Sequence, residues 1–189
     1  MKIWIRSLGA SLRMLVVATV VLGVAYPLIG LAAGLALPHQ AEGSLITVNG
    51  KVIGSSLLGQ DFAGDGWFHG RPSASNYDGL ASGGSNLGPN NPALVAAIAD
   101  RIAKVAAREG VAPARVPADA VTASASGLDP QISLAYAELQ VPRVAAQRGM
   151  SEAAVRALVA HATTGRALGV LGEPAVNVVT LNAALAGRQ

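Results

Sequence analysis

The stretch Met14-Leu-Val-Val-Ala-Thr-Val-Val-Leu-Gly-Val-Ala-Tyr-Pro-Leu-Ile-Gly-Leu-Ala-Ala-Gly-Leu-Ala-Leu37 decides how this chain is organised, because about 24 residues pass without a charged side chain. A helix needs about 20 apolar residues to cross the hydrocarbon of a bilayer, so length alone makes this a membrane span. The rival reading is a cleaved secretory signal, with a cutting site among the small residues Ala33 to Ala36. The apolar region of a signal is only about 7 to 15 residues long, which favours the anchor. Lys2, Arg6 and Arg13 precede the run, whereas the first positive residue after it is Lys51, with Glu42 in between. Positive charge stays on the cytoplasmic side, so the asymmetry puts the N-terminus in the cytoplasm. The expected organisation is a basic cytoplasmic tail over residues 1–13, a transmembrane helix over 14–37 and one extracytoplasmic domain over 38–189, in the plasma (inner) membrane.

The same three residues explain the basic balance of the whole chain. Removing Lys2, Arg6 and Arg13 from the 14 Lys and Arg leaves 11, equal to the 11 Asp and Glu. A neutral domain without a Lys/Arg cluster and with few aromatics has neither the electrostatic footprint nor the stacking surface of a nucleic-acid binder. Cysteine is absent, which is compatible with an oxidising compartment and establishes nothing further.

Beyond the span, Leu45 to Gly54 reads as a hairpin, since Leu-Ile-Thr-Val and Lys-Val-Ile flank Asn49-Gly50, a pair suited to a type I′ turn. Gly59 to Pro92 is dense in Gly, Ser, Asn and Pro, with Trp67, Phe68 and Tyr77 among its large side chains. So long a loop inside a domain is functional or disordered, and its aromatics argue for a packed, functional one. Asn91-Pro92 opens a helix that Gly110 closes, with Leu94, Ile98, Ile102 and Val105 along its apolar stripe. Asp100, Arg101, Lys104 and Arg108 fall on its other face and read as solvated charges. Asp129-Pro130 repeats the cap-then-proline signal and predicts a helix interrupted at Pro142 and stopped by Gly149. Ser151 caps another, ended by Gly165, and Ala175 to Leu185 suits a strand turning into a terminal helix. One early hairpin followed by several helices does not alternate as a parallel fold would, so the class is α+β.

Motifs of catalysis are missing. Gly50-Lys51 is followed by Val52, so no Walker loop is present, and neither a dinucleotide fingerprint nor a nucleophile elbow occurs. His39, His69 and His161 stand far apart without His or Cys companions at metal-ligand spacing. Ser82-Gly83-Gly84-Ser85-Asn86 is loosely like the Leu-Ser-Gly-Gly-Gln signature of ABC-type transport ATPases, but a tight surface turn needs the same residues.

Taken together, several stretches carry a family likeness: Gly54-Ser-Ser-Leu-Leu-Gly-Gln60, Trp67-Phe-His-Gly-Arg-Pro-Ser-Ala74, Tyr77, and Ser82-Gly-Gly-Ser-Asn-Leu-Gly-Pro-Asn-Asn-Pro92. Further along come Val121-Thr-Ala-Ser-Ala-Ser-Gly-Leu-Asp-Pro130, Gln140-Val-Pro-Arg-Val-Ala145, Gly172-Glu-Pro-Ala-Val-Asn-Val178 and Leu181-Asn182. In this order, over essentially the whole chain, they resemble the C chain of the Kdp potassium-transporting ATPase. Gln131, where the family commonly has histidine, and the small Ala118 and Ala120 depart from its pattern, so no imidazole function carries over to position 131.

The resemblance implies a complex in which a channel-like A subunit binds potassium, a P-type B subunit hydrolyses ATP through an aspartyl-phosphate, and a small F subunit assists. This chain would be a required accessory, described for the family as a catalytic chaperone that raises the ATP affinity of the B subunit. It has no Asp-Lys dipeptide for phosphorylation and no Thr-Val-Gly-Tyr-Gly filter, so potassium is expected to be bound elsewhere. ATP binding by this chain, implied only by the family, is in tension with a domain outside the membrane. An anchored enzyme and a released binding module are the other classes open to the sequence. The Arg71 to Asn91 loop and the Ser124 to Asp129 segment are the candidate docking surface, with Arg71, Ser82, Ser85, Asn86, Ser126 and Asp129 as its residues. Gly30 and Gly34, a Gly-x-x-x-Gly pair, are the candidate helix-packing site within the span.

Overall fold

The structure is a computed structural model that describes residues 2–187; the side chain of Lys2 and the extreme ends of the 1–13 and 38–189 segments lie outside the described residues. It divides into two units, residues 1–44 and 45–189.

The first unit is helical. Helix α1 (Lys2–Val20) runs into a wide turn at Val21–Ala25 and on into α2 (Tyr26–Ala36), followed by the single turn α3 (Pro38–Ala41). Ile3–Ala36 is long and apolar enough to cross a membrane, and none of its most apolar window is buried within the protein. The helix therefore begins well before Met14, since the tail preceding the apolar run has no proline and its one weak helix former, Gly9, is flanked by helix-compatible residues. At its other end Leu37 leaves helical geometry (φ −127°, ψ 62°), because Pro38 disfavours the α conformation in the residue before it.

The second unit opens on the hairpin of β1 (Leu45–Val48) and β2 (Lys51–Ser55), whose antiparallel register shifts at a bulge between Ile46 and Thr47. Asn49 (φ 51°) and Gly50 (φ 76°) are both left-handed, as a type I′ turn requires. After the long loop, α4 (Pro92–Glu109) begins where Asn91 Oδ1 accepts the Ala93 N–H and ends at left-handed Gly110.

The next segment corrects the sequence reading. Asp129 opens no helix: its Oδ1 accepts the Gln131 N–H and the chain continues into β3 (Gln131–Ser133). Ser133 is the cap, its Oγ accepting the Tyr136 N–H, while the Asp119 carboxylate holds the Ser133 N–H (2.7 Å) and hydroxyl (2.8 Å). Helix α5 (Leu134–Arg148) passes through Pro142 without interruption. Proline removes one hydrogen bond, and the burial of Val141, Val144 and Ala145 holds the turns on either side of that gap. Helix α6 (Glu152–His161) ends before Gly165, because Thr163–Thr164 are drawn off as β4. The segment Ala167 to Leu171 makes a small exposed loop whose base is closed by the Arg166–Glu173 ion pair.

Strand β5 (Ala175–Asn177) lies between β3 and β4, antiparallel to both, and turns directly into α7 (Val178–Ala186). Two of the three strands thus end in a residue that caps the following helix, Ser133 for α5 and Asn177 for α7. The mixed architecture agrees with the α+β class, although this three-stranded sheet adds to the expected hairpin. Its core combines Ile132, Tyr136, Val141, Val144, Val155, Val159, Val176, Leu181 and Leu185 with Phe68, which comes from the long loop and is fully buried.

Candidate functional site

Phe68 is held in the core by two buried side-chain amides. Asn182 on α7 accepts the Phe68 N–H (3.0 Å) through Oδ1 and donates to the Phe68 carbonyl (2.9 Å) through Nδ2. Gln140 on α5 does the same for His69, accepting its N–H (2.7 Å) and donating to its carbonyl (3.1 Å). An amide side chain offers a donor and an acceptor side by side, so each stands in for the edge of a neighbouring strand. Arg143, one helical turn after Gln140, extends the clamp: its guanidinium donates to the Trp67 carbonyl (2.9 Å), to the Asp65 carbonyl and to Gln140 Oε1. Its Nε faces both oxygens of Glu109 (3.0 and 3.1 Å), an ion pair with side chains only 8% and 1% exposed. Arg148 donates to the Gly66 carbonyl and lies 4.0 Å over the Trp67 ring, a cation–π contact. Residues 65 to 69 are therefore anchored one after another.

A second set of ties joins the two segments expected to form the docking surface. Arg71 pairs with Asp129 at 3.0 Å, each side chain 27% exposed, and Arg71 also reaches the Thr122 carbonyl. Ser73 Oγ donates to the Gly127 carbonyl (2.7 Å) and accepts the Tyr77 N–H (2.9 Å), and Ser82 Oγ donates to the Ser126 carbonyl (3.0 Å). Backbone bonds from Gly59 to Leu128, Gly83 to Ser126 and Ser124 to Pro72 complete the zipper. Gly127 must be glycine: at φ 69° a Cβ would stand 2.4 Å from Ser75 Oγ and 2.8 Å from the Gly83 carbonyl. The Tyr77 hydroxyl donates to the Arg71 carbonyl, and burial pushes its pKa up to about 12.

Of the candidate residues, Arg71, Ser82, Ser126 and Asp129 come together along one shallow groove, floored by Leu128 and Pro130. Ser85 and Asn86 are exposed, and among the described residues no hydrogen bond ties either side chain to that groove; Asn86 is left-handed (φ 52°). In the other unit, a side chain at Gly30 would meet nothing, whereas one at Gly34 would touch Ala41 of the helix's own following turn at 3.6 Å.

Sequence reasoning missed a cleft of about 350 Å³ between the loop and α4, lined by Asp61, His69, Tyr77, Arg101, Arg108 and Tyr136 among others. Asp100 and Lys104 are paired at the surface as expected for solvated charges. Arg101 instead turns to the Val121 carbonyl (3.0 Å), so the polar face of α4 supports the loop layer. The apolar stripe hid this, because its periodicity says which face is buried and nothing of what covers the other. Among the described residues no three His, Cys, Asp or Glu side chains gather into a metal-binding group.

His69 sits at the wall of this cleft. Burial pushes its imidazole from the ordinary 6.5 down to about 4; Arg108 and Arg143 act in the same direction and Asp61 and Asp65 oppose them. Between those values the unfolded chain binds a proton that the folded chain refuses, so stability rises with pH across this window. The contribution is complete above about pH 6.5 and is lost progressively as the pH falls toward 4. Denaturation midpoints between pH 7 and pH 5 are expected to converge in a His69→Gln variant, and an unchanged pH slope would assign the effect to other groups.

A single apolar helix long enough to cross a membrane, with a mixed domain in which residues 65–69 are held by side chains of α5 and α7, describes a protein with one candidate membrane span and one folded domain. The comparisons make the class specific. Residues 8–187 match the family described as "KdpC: K+-transporting ATPase, c chain". The chain is 52% identical over 183 residues to the potassium-transporting ATPase KdpC subunit of Kineococcus radiotolerans, covering 96% of this chain and 93% of that protein. It is 55% identical over 184 residues to the subunit of the same name from Sorangium cellulosum, covering 95% and 97%. The chain belongs to the family of K+-transporting ATPase c chains.

Proposed function

We propose that this subunit is the non-catalytic accessory of an ATP-driven potassium-uptake complex, working beside channel-like A, ATP-hydrolysing B and small F subunits. The observation that carries the reading is the way polar groups of the two motif-rich segments are used. Arg71, Ser73, Ser82, Ser124 and Asp129 are engaged with backbone or with each other, which leaves the two segments ordered before any partner arrives. Binding to a surface already ordered avoids the entropy of ordering it. The N-terminal charges favour a domain outside the membrane. A gain in the ATP affinity of the B subunit is then transmitted through the assembly, and ATP itself is bound there.

One experiment tests orientation and docking together, because the chain has no cysteine. A Ser85→Cys variant should react with a bulky, membrane-impermeant maleimide in intact spheroplasts. Assembly into the complex should slow that reaction at least about tenfold, as burial in an interface excludes the reagent. Labelling only after lysis would reverse the orientation, and equal rates in free and assembled subunit would remove the docking role of this loop.

A further inference from the structure

Two buried side-chain nitrogens among the described residues have no hydrogen-bond partner, His69 Nε2 and Arg71 Nε. Both residues line the cleft between the long loop and α4, with Gly70 between them. Nearly all buried polar groups of a folded protein are paired, so two orphans in the wall of one cleft point to a ligand. The Arg71 Nε–H can only donate, and the His69 imidazole, kept neutral by a pKa of about 4, carries one N–H that a ligand can draw to Nε2. The missing group is therefore an acceptor. Tyr136, 2% exposed, lines the same cleft, and its hydroxyl makes no hydrogen bond among the described residues.

Charge narrows the class. Of the cations lining the cleft, Lys104 is paired with Asp100 and Arg71 with Asp129. Arg101 donates to the Val121 carbonyl and Arg108 forms no ion pair, so no carboxylate among the described residues neutralises either of them. Asp61 is the one acidic side chain in the lining. Two unneutralised arginines against one carboxylate leave a single positive charge over, and Arg108 is close enough to act on both His69 and Tyr136. A monoanion balances that charge; a dianion exceeds it.

We propose that this cleft binds one carboxylate group, which pairs with Arg108 and accepts hydrogen bonds from Arg71 Nε and the His69 imidazole. A carboxylate is acceptor-only and carries one charge on two oxygens, so it serves more than one donor at once. It comes from a small carboxylate in solution or from an Asp or Glu side chain of a neighbouring subunit. The second source rests on the reading of the chain as part of a complex; the site itself does not.

The test uses the full chain in detergent, labelled with 15N at its three histidines, with His69→Gln assigning the signal. Sodium formate replaces sodium chloride at constant ionic strength, so that screening is unchanged. The His69 ring nitrogens should shift saturably with a midpoint of roughly 1–30 mM, since a three-atom ligand binds no tighter than about millimolar. Arg108→Gln should weaken that midpoint at least about tenfold, the loss of a charge-assisted hydrogen bond. Arg115→Gln, which removes an exposed cation outside the cleft, should leave it unchanged. Both side chains are exposed, so each variant keeps the melting temperature of the wild type. In the reconstituted complex, a neighbour's carboxylate would hold the His69 signal at its formate-bound position with no further response to formate. A carboxylate from solution would leave the complex titrating as the chain alone does. No saturable shift in the chain alone, an equal midpoint in Arg108→Gln, or tighter binding of inorganic phosphate than of formate overturns the carboxylate site. Failure of the chain to enter the complex would instead count against the subunit reading, and the titration of the chain alone would still decide the site.

Discussion

Replacing Glu109 with alanine should lower the stability of the folded domain by about 3–5 kcal/mol, the cost of leaving one member of a buried ion pair behind. Arg143 cannot turn to water, since its side chain is only 8% exposed and its other nitrogens hold the Trp67 and Asp65 carbonyls and Gln140. For a chain of this size the loss corresponds to a fall of roughly 10 °C in melting temperature, measured on the full chain in detergent. Glu109→Ala combined with Arg143→Met should recover only part of the loss. The second change removes the unpaired charge, but it also releases carbonyls of the long loop. A melting temperature within about 2 °C of wild type for Glu109→Ala would mean that the pair contributes no more than a surface ion pair does.

Asn182→Leu attacks the same loop from the other side. The substitution keeps the branching and the number of side-chain heavy atoms and strands the N–H and carbonyl of Phe68, both of which Asn182 serves. Each buried group left unsatisfied costs about 1–3 kcal/mol, so a total of about 2–5 kcal/mol is expected. Asn182→Asp separates the two bonds, because a carboxylate accepts from the Phe68 N–H but offers nothing to its carbonyl. Hydrogen exchange at the Phe68 amide gives the local readout: it should accelerate strongly in Asn182→Leu and less in Asn182→Asp. Equal protection in both variants and wild type would show that packing of the ring alone holds the loop.

These two residues also mark the limit of what pattern reading reaches. Asn182 and Phe68 are 114 positions apart, and Arg71 and Asp129 are 58 apart. Nothing local at Asn182 distinguishes a clamp from a polar residue in a terminal helix. The quoted motifs did contain Gln140, Arg143 and Asn182, so the signal was present as residue identity without any indication of partner. Asp129 shows the opposite failure. Its local chemistry fits a helix cap, and it does accept a nearby N–H, but β5 claims residues 131–133 as a strand.

Sequence alone determined the apolar span, the Asn49-Gly50 hairpin, α4 from its Asn91 cap to Gly110, the Ser151 cap of α6 and the family likeness. Each of these rests on contacts within a few residues or on hydrophobic period, which are written along the chain. Only the tertiary structure decided that residues 131–133, 163–164 and 175–177 form a sheet, that Phe68 belongs to the core, and that Glu109, Gln140, Arg143 and Asn182 hold the loop in place. Strands of two or three residues have too little alternation to be read locally. A buried polar side chain takes its role from whichever distant backbone group needs it, and that pairing exists only once the chain has folded.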